Sequence, residues 1–157
     1  MKNTTLCHIE YAGNVLMLHR NKKQNDINEG KWIGIGGKFL ENESPEECML
    51  REVYEETGIC LDNWKYRGIV TFVPDACEGE YMHIFTAKAS SDKFTPCTEG
   101  TLKWIKKSKI LSLNLWEGDR IFLKLLEENE PFFSLKLIYE GDTLAGAVLN
   151  GKDITDI

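Results

Sequence analysis

Three glutamates, Glu52, Glu55 and Glu56, are spaced so that they can share one side of a helix. Residues three or four positions apart are neighbours on a helix surface. Carboxylates held this close repel one another unless a cation or a shared proton lies between them. Carboxylate oxygens are the ligands that Mg²⁺ prefers, and such an ion neutralises phosphoryl oxygens and activates water. The three glutamates therefore predict phosphate chemistry at a hard metal ion.

Two further features accompany the glutamates. The segment GIGGK, residues 34–38, precedes the helix and carries three glycines, which allow the backbone to approach a metal or a phosphate closely. Arg51 lies one turn from Glu47 and from Glu55, so that an ion pair with either is expected to orient the carboxylates. Both features favour a preorganised site at the junction of loop and helix.

The helix that carries the glutamates has start and stop signals. Ser44 and Glu47 have the spacing of a capping box, and Pro45 occupies the first turn, where its missing N–H costs nothing. Gly58 suits a left-handed C-cap. A helix is therefore predicted between Ser44 and Gly58, with an apolar stripe opposite the glutamates. The stripe comprises Met49, Leu50, Val53 and Tyr54.

Elsewhere, short apolar runs separated by turns predict strands. These are residues 4–10, 14–18, 31–35, 65–73, 81–89 and 102–105, and a hairpin over 132–149 that turns at 140–142. Residues 21–30 are predicted to form a loop, and residues 119–128 a second amphipathic helix that begins at Asp119 or Gly118. This order of elements predicts an α+β fold or an α/β/α sandwich, as one domain over residues 1–157.

Composition restricts the class of protein. The formal net charge of −6 over 157 residues argues against a binder of nucleic-acid polymers, whose contact face is basic. The five cysteines form no CxxC pair, which favours reduced thiols in the cytoplasm. The first fifteen residues contain no long apolar segment, and no window reaches the length of a membrane span. We expect a cytoplasmic protein without a membrane partner.

The glutamate segment resembles the Nudix box, in which glycine, glutamate, Arg-Glu, Glu-Glu and glycine recur at set spacings. All of the defined positions are filled. They are Gly37, Glu43, Arg51, Glu52, Val53, Glu55, Glu56, Gly58 and Ile59. The resemblance implies a mixed β-sheet between helices and a hydrolase that splits nucleoside diphosphates linked to another group, with Mg²⁺ or Mn²⁺ as cofactor.

The same resemblance implies roles for individual residues. Glu52, Glu55 and Glu56 would hold the metal ions with the backbone carbonyl of Gly36. One glutamate of this group would also be the general base for the attacking water. Arg51 would orient the glutamates, and Glu43 would brace the junction between loop and helix.

A narrower resemblance is to the MutT-like branch, which hydrolyses oxidised purine nucleoside triphosphates such as 8-oxo-dGTP. It rests on residues 32–38, 115–119 and 141–143 and on Glu99, which precedes Lys103-Trp104. It implies Glu99 as a further metal ligand or base, Trp116 as a stacking partner of the purine, and Asp119 as its hydrogen-bonding partner. It also implies a phosphate contact for Lys38.

The chain departs from the animal enzymes of this branch at two positions. Ile33 replaces an asparagine that reads the base, and Gly118 replaces a second aspartate. Other interpretations also stay open: Glu99 as a surface glutamate, Trp116 as a packing residue and Asp119 as a helix cap. The substrate could instead be ADP-ribose, a dinucleoside polyphosphate or a capped RNA end, and a nucleotide-sensing module without turnover is a further alternative. We expect a monomer or a homodimer.

Overall fold

The structure is a computed structural model that describes residues 1–22 and 25–156. Two of the residues in the predicted loop, Lys23 and Gln24, lie outside this range. The strands in the described part are β1 (Lys2–Tyr11), β2 (Asn14–His19), β3 (Trp32–Ile33), β4 (Trp64–Val73), β5 (Glu80–Lys88), β6 (Thr101–Lys106), β7 (Phe133–Glu140), β8 (Thr143–Leu149) and β9 (Lys152–Asp153). The helices are α1 (Pro45–Thr57), α2 (Asp119–Glu127) and a 3-10 helix over Lys107–Ser112.

All of these strands belong to one mixed sheet, in the order β3-β2-β1-β5-β4-β7-β8-β9, and β6 pairs with β2 off this path. β1 pairs in parallel with β5, and β4 pairs in parallel with β7. The remaining pairs of the sheet are antiparallel. β1 lies between β2 and β5.

The two α-helices cover opposite faces of the sheet. Met49 and Val53 of α1 pack into a core cluster that contains Cys7 of β1, whereas Phe122 of α2 packs into a cluster that contains Leu6. Neighbouring residues of a strand point to opposite faces. The mixed sheet between helices that the sequence predicted is therefore confirmed as an α/β/α sandwich.

The strand predictions are confirmed within a few residues at each end, with one shortened element. Residues 31–35 were predicted as a strand, but only Trp32–Ile33 form β3, and Ile35 makes an isolated bridge to Cys7. Ile35 lies between Gly34 and Gly36, where the chain leaves β2 and crosses to β1. The 3-10 helix over Lys107–Ser112 was not predicted, because six residues are too few for a helical repeat to stand out.

One prediction about the packing face of α1 is wrong. Tyr54 was placed in the apolar stripe, yet 58% of it is exposed. Cys48, at the other edge of this face, is fully buried because its thiol lies against Thr5 and the carbonyl of Gly37. Successive helical residues are about 100° apart, so a stripe that is centred on Met49 and Val53 excludes Tyr54.

No described helix has the length and the apolar character that crossing a bilayer would require.

Candidate active site

The helix α1 begins and ends as its sequence signals predict. The Ser44 hydroxyl accepts a hydrogen bond from the Glu47 amide at 3.1 Å, and the Ser44 amide donates to the Glu47 carboxylate at 2.9 Å. Gly58 adopts a left-handed φ of 75°, and its amide donates to the carbonyl of Tyr54. Both ends of α1 are therefore held locally, which gives the glutamates a rigid support.

The glycine turn lies tightly between β1 and α1. A methyl carbon added at Gly36 would lie 1.7 Å from the carbonyl oxygen of Thr5, and one added at Gly37 would lie 2.4 Å from the carboxyl carbon of Glu52. The backbone of β1 excludes a side chain at Gly36, whereas a side chain at Gly37 would displace the Glu52 carboxylate. The absence of side chains here brings the backbone of the turn against a carboxylate of α1.

Arg51 connects the loop and the helix. Its Nε and Nη2 donate to the Glu43 carboxylate at 2.7 and 2.9 Å, and Nη2 also donates to the Lys38 carbonyl at 3.0 Å. Its Nη1 donates to Glu52 at 2.8 Å and to Glu55 at 3.1 Å. These bonds raise the pKa of Arg51, and the Arg51 bond lowers the pKa of Glu43. One guanidinium thus orients three carboxylates.

Glu56 is the most perturbed acid of the site. Its carboxylate accepts a hydrogen bond from the Gly36 amide at 3.2 Å. Burial, together with the negative charges of Glu52 and Glu99, raises the pKa of Glu56 to about 8. A carboxyl group in this state is stabilised by a proton or by a cation. Glu56 therefore has the electrostatic environment of a metal ligand or a general base.

The donor set suits a hard divalent ion. Glu52, Glu55 and Glu56 offer carboxylate oxygens, and no residue in the described ranges donates a hydrogen bond to the carbonyl of Gly36. Within residues 1–22 and 25–156, no three acidic, histidine or cysteine side chains already converge as they would around an ion. The physical reason is Arg51, since its bonds draw the Glu52 and Glu55 carboxylates to the guanidinium.

Glu99 lies near the glutamates of α1, but its ion pair is with Arg20 and not with Arg51. Its carboxylate is 41% exposed and pairs with Arg20 Nη1 at 3.1 Å. Arg20 Nε pairs with the buried carboxylate of Asp26 at 2.7 Å. The charge of Glu99 still acts on Glu56 and raises its pKa. Arg20 therefore places Glu99 at the edge of the acidic cluster.

Trp116 lies on the α2 side of the sheet and is only 5% exposed. Its indole N–H donates to the side-chain oxygen of Asn28 at 2.8 Å. Edge-to-face contacts join its ring to Tyr139 and Phe72, with ring centroids 5.0 and 5.7 Å apart. The ammonium of Lys31 lies 5.1 Å from the ring centroid. Trp116 is thus a packing residue whose ring is also approached by a cation.

Asp119 stands at the first turn of α2, directly after Gly118 at the N-cap position. Burial raises the pKa of Asp119 to about 7, while the charges of Lys31 and Arg120 oppose this shift. Around neutral pH the carboxyl group can therefore either donate or accept a hydrogen bond. Asp119 and Trp116 are both approached by Lys31, which places them in one region.

Gly118 departs from the pattern of the animal enzymes for a visible reason. Its amide donates to the phenol oxygen of the buried Tyr139 at 2.7 Å. A methyl carbon at Gly118 would lie 2.6 Å from that oxygen and 2.5 Å from a methyl group of Leu137. Tyr139 thus fills the space that a larger side chain at position 118 would need.

The structure does not bring all the residues that were predicted to bind the substrate into one region. Ile33 packs against the core cluster beneath α1, whereas Trp116 belongs to the cluster beneath α2. Lys38 is exposed, and its backbone carbonyl is occupied by Arg51. The assigned roles of these residues stay predictions.

Four residues of the site region were missed from the sequence. They are Arg20, Asn28, Lys31 and Tyr139. Asn28 and Lys31 lie in or beside a polar loop, where side chains of this kind are usually solvated, and Tyr139 is one alternating residue of a strand. Only the position of Arg20 directly after β2 was a usable signal, because residues at strand ends often enter sites.

Comparisons with known proteins agree with this geometry. Residues 3–126 match the NUDIX domain. The oxidized purine nucleoside triphosphate hydrolase of Mus musculus is 27% identical over 135 residues, which cover 83% of this chain and 85% of that protein. The protein of the same name from Danio rerio is 30% identical over 139 residues, which cover 83% of each.

The fold is also similar to a solved structure. The crystal structure of a mutator MutT protein from Bacillus halodurans superimposes with a TM-score of 0.84 and 26% identity, covering 97% of this chain and 99% of that one. The domain match spans most of the chain and contains the whole glutamate helix with its glycine turn. The chain therefore belongs to the Nudix family, whose members generally use divalent metal ions, and is a hydrolase of nucleoside diphosphate derivatives.

Proposed function

We propose that this Nudix hydrolase converts a modified purine nucleoside triphosphate, such as 8-oxo-dGTP, to the monophosphate and pyrophosphate. The observation that carries the proposal is the contact between Glu56 and the Gly36 amide. It sets a buried carboxylate, with its raised pKa, against the glycine turn at the point where Glu52 and Glu99 add negative charge. The names of the mouse and zebrafish relatives support the class of substrate.

The hydrolytic centre uses the residues around this contact. Glu52, Glu55, Glu56 and Glu99 and the Gly36 carbonyl form the proposed ligand set for Mg²⁺, with Mn²⁺ as the alternative ion. The bound ion supplies charge neutralisation of the phosphoryl oxygens and lowers the pKa of water. One glutamate of the set takes the proton of the attacking water, and water and the triphosphate yield the monophosphate and pyrophosphate.

Arg51 acts on this centre through the carboxylates. Its bidentate pair with Glu43 fixes the guanidinium, because a planar fork matches the two oxygens of a carboxylate. Its remaining donors fix Glu52 and Glu55.

The nucleotide is proposed to extend toward the start of α2. Trp116 would stack on the purine where Lys31 now approaches the indole ring. Asp119 would hydrogen-bond the edge of the base, and its pKa of about 7 allows both protonation states near neutral pH. Lys38 would contact a phosphate, and Ile33 would supply an apolar contact in place of a base-reading amide.

The reaction is tested with purified protein, 8-oxo-dGTP and Mg²⁺, by resolving the products chromatographically. We expect the monophosphate and pyrophosphate in equal amounts, and no turnover in excess EDTA until Mg²⁺ or Mn²⁺ is restored. Release of inorganic phosphate and the nucleoside diphosphate would contradict the proposed bond cleavage.

The substrate is tested by comparing kcat/KM for 8-oxo-dGTP, dGTP, ADP-ribose, a dinucleoside polyphosphate and a capped RNA end. We expect the highest value for 8-oxo-dGTP. A higher value for ADP-ribose, the dinucleoside polyphosphate or the capped RNA end would leave the family assignment unchanged and would show that the proposed substrate is wrong. The proposal also places the enzyme in the cytoplasm as a monomer or homodimer, acting on free nucleotides.

A further inference from the structure

A cavity of about 590 Å³ lies between the sheet and the second half of α2. Its walls come from β1, β2, β4 and β5, from the 3-10 helix and from α2. Glu52, Glu55, Glu56, Glu99, Trp116 and Asp119 are all absent from its lining. The cavity is therefore separate from the proposed hydrolytic and base-binding residues. Its volume lies within the range of small-molecule sites, roughly 300–1,000 Å³.

The wall of the cavity contains a buried arginine that is in direct contact with no carboxylate of the described residues. Arg67 of β4 is 6% exposed and forms no salt bridge within the described ranges. Its Nη1 and Nη2 donate to Thr86 Oγ1 and to the Leu126 carbonyl, both at 3.3 Å, and its Nε is buried without a partner. A buried guanidinium normally pairs with an anion, because leaving a charge unpaired in the interior is costly.

A second buried polar group adjoins the same cavity. His8 of β1 is 5% exposed, and its Nε2 has no hydrogen-bond partner among the described residues. Burial lowers the pKa of His8 to about 4, so its ring is neutral at physiological pH and keeps one donor and one acceptor. Two polar side chains from neighbouring parts of the sheet thus line one cavity with unused hydrogen-bonding atoms.

The charges around the cavity favour an anion. Five cationic residues line it, namely Lys65, Arg67, Lys88, Lys107 and Lys124, against two acidic residues, Glu10 and Glu127. Glu10 is engaged by Lys107 at 2.7 Å, and its charge opposes the lowering of the pKa of Arg67 that burial causes. The lining therefore keeps an excess of three positive charges in a chain whose net charge is −6.

Apolar side chains also line the cavity and would hold an organic body. The apolar side chains come from three elements and include Val15, Ile110, Leu111, Leu123 and Leu126. We propose that this cavity is a second binding site, which takes a small organic anion. Its phosphate or carboxylate group pairs with Arg67, and its apolar part lies against α2 and the 3-10 helix.

Binding is tested with 8-anilino-1-naphthalenesulfonate, an aromatic anion whose fluorescence rises in an apolar site. We expect saturable binding of one molecule per chain to the folded wild type, in the absence of divalent metal. Phenyl phosphate and benzoate distinguish the head groups, because they share an aromatic ring and differ in the anion. Benzyl alcohol has the ring without the charge. At least one of the two anions is expected to displace the probe, and the alcohol is not.

The assignment to this cavity is tested with Arg67→Leu, which we expect to weaken probe binding by roughly tenfold or more. If this variant fails to fold, Lys65→Glu/Lys124→Glu replaces it, since both lysines line the cavity and are exposed. The matched control is Lys103→Glu/Lys136→Glu, which makes the same change of charge at exposed positions outside the cavity. The control should bind the probe within about twofold of the wild type.

The outcomes separate this proposal from the hydrolytic function. Binding that is unchanged in the cavity variants, weakened equally in the control, or displaced equally by benzyl alcohol would overturn the anion site. The anion site would also be overturned if no anion binds, because the cavity would then hold water alone. Hydrolysis by the folded cavity variants is expected to stay within about twofold of the wild type, because additivity holds for distant sites. A parallel loss of hydrolysis and probe binding would assign the probe to the active site.

Discussion

Arg51 holds Glu43 by two hydrogen bonds, of 2.7 Å from Nε and 2.9 Å from Nη2, and so joins α1 to the loop that precedes it. The geometry is bidentate, and both partners are largely withdrawn from solvent. The same guanidinium reaches two glutamates of α1 with its other donors. The positions of the Glu52 and Glu55 carboxylates therefore depend on a pair that includes Glu43, which lies outside the proposed ligand set.

Replacing Arg51 by Lys should lower both activity and stability. An ammonium group keeps the charge but cannot bridge two carboxylate oxygens in a plane or reach the other glutamates together. We expect kcat to fall roughly tenfold to a hundredfold, as when a group that orients metal ligands is removed. The free energy of unfolding should fall by about 2 kcal/mol, between the values for exposed and buried ion pairs. Steady-state kinetics and urea unfolding measure these changes.

The control for Arg51 is Lys136→Gln, which alters an exposed cation on β7. It should leave kcat and the unfolding midpoint close to those of the wild type. If Arg51→Lys behaved like this control, the glutamates would not need the guanidinium fork for their orientation.

Replacing Glu56 by Gln should abolish most turnover. The substitution keeps the shape of the side chain but removes a charge that the site offers to a metal or to the proton of water. A loss of roughly a hundredfold to ten-thousandfold in kcat is expected, the usual contribution of a general acid or base. Addition of Mg²⁺ should raise the melting temperature of the wild type more than that of Glu56→Gln, because a ligand that binds the folded state stabilises it.

The matched control for Glu56 is Glu46→Gln, the same substitution in the first turn of the same helix. The charge of Glu46 acts on Tyr66 and His83, away from the glycine turn. We expect near wild-type turnover for Glu46→Gln. Equal activity of the two variants would remove Glu56 from the catalytic group.

Gly118→Ala should destabilise the fold through its contact with Tyr139. The added methyl group would lie 2.6 Å from the phenol oxygen and 2.5 Å from Leu137. We expect a loss of about 1–3 kcal/mol in the free energy of unfolding, the usual cost of overpacking. Gly146→Ala, where the nearest atom is 3.4 Å away, should cost much less.

A double-mutant cycle isolates the contact between positions 118 and 139. Tyr139→Phe alone should cost about 1–3 kcal/mol, because the buried Gly118 amide loses its acceptor. The double variant should lose less unfolding free energy than the sum of the losses in the two single variants, because the missing hydroxyl makes room for the methyl group. Strict additivity in urea unfolding would show that the two residues do not act on each other.

Asp119 should give the stability of the protein a characteristic pH dependence. Its pKa is raised from 3.8 to about 7, so the fold favours the neutral acid, while the unfolded chain ionises from about pH 4. Its contribution to stability is therefore complete below pH 3.8 and is lost as the pH rises to about 7. When unfolding free energies are compared between pH 4 and pH 8, the decline should be smaller in the Asp119→Asn variant than in the wild type, and the part that remains is expected from Glu56, whose pKa is also raised.

The same titration should be visible in catalysis. If Asp119 hydrogen-bonds the base, kcat/KM for 8-oxo-dGTP should change near pH 7 in the wild type, and this step should be absent in Asp119→Asn. An unchanged profile in the variant would mean that Asp119 serves only the start of α2.

Local chemistry made much of the fold predictable. The limits of α1 follow from Ser44, Pro45 and Gly58, whose preferences act within one or two turns of chain. Most strands follow from alternation over a few residues. Tyr54 was misplaced because its apolar character was weighed without the sheet, against which the side of α1 that carries Met49 and Val53 packs. The short 3-10 helix left no periodic signal.

The sequence by itself determined the glutamate helix, its glycine turn and hence the family and the class of reaction, because these depend on residue types at fixed local spacings. Only the tertiary structure decided which distant groups meet. It brought Tyr139 to Gly118, Lys31 to Trp116 and Arg20 to Glu99. Such contacts arise from the order and register of strands that are far apart in the chain, and no local pattern encodes them. The cavity beside Arg67 has the same origin, since the sheet, the 3-10 helix and α2 must assemble before it exists.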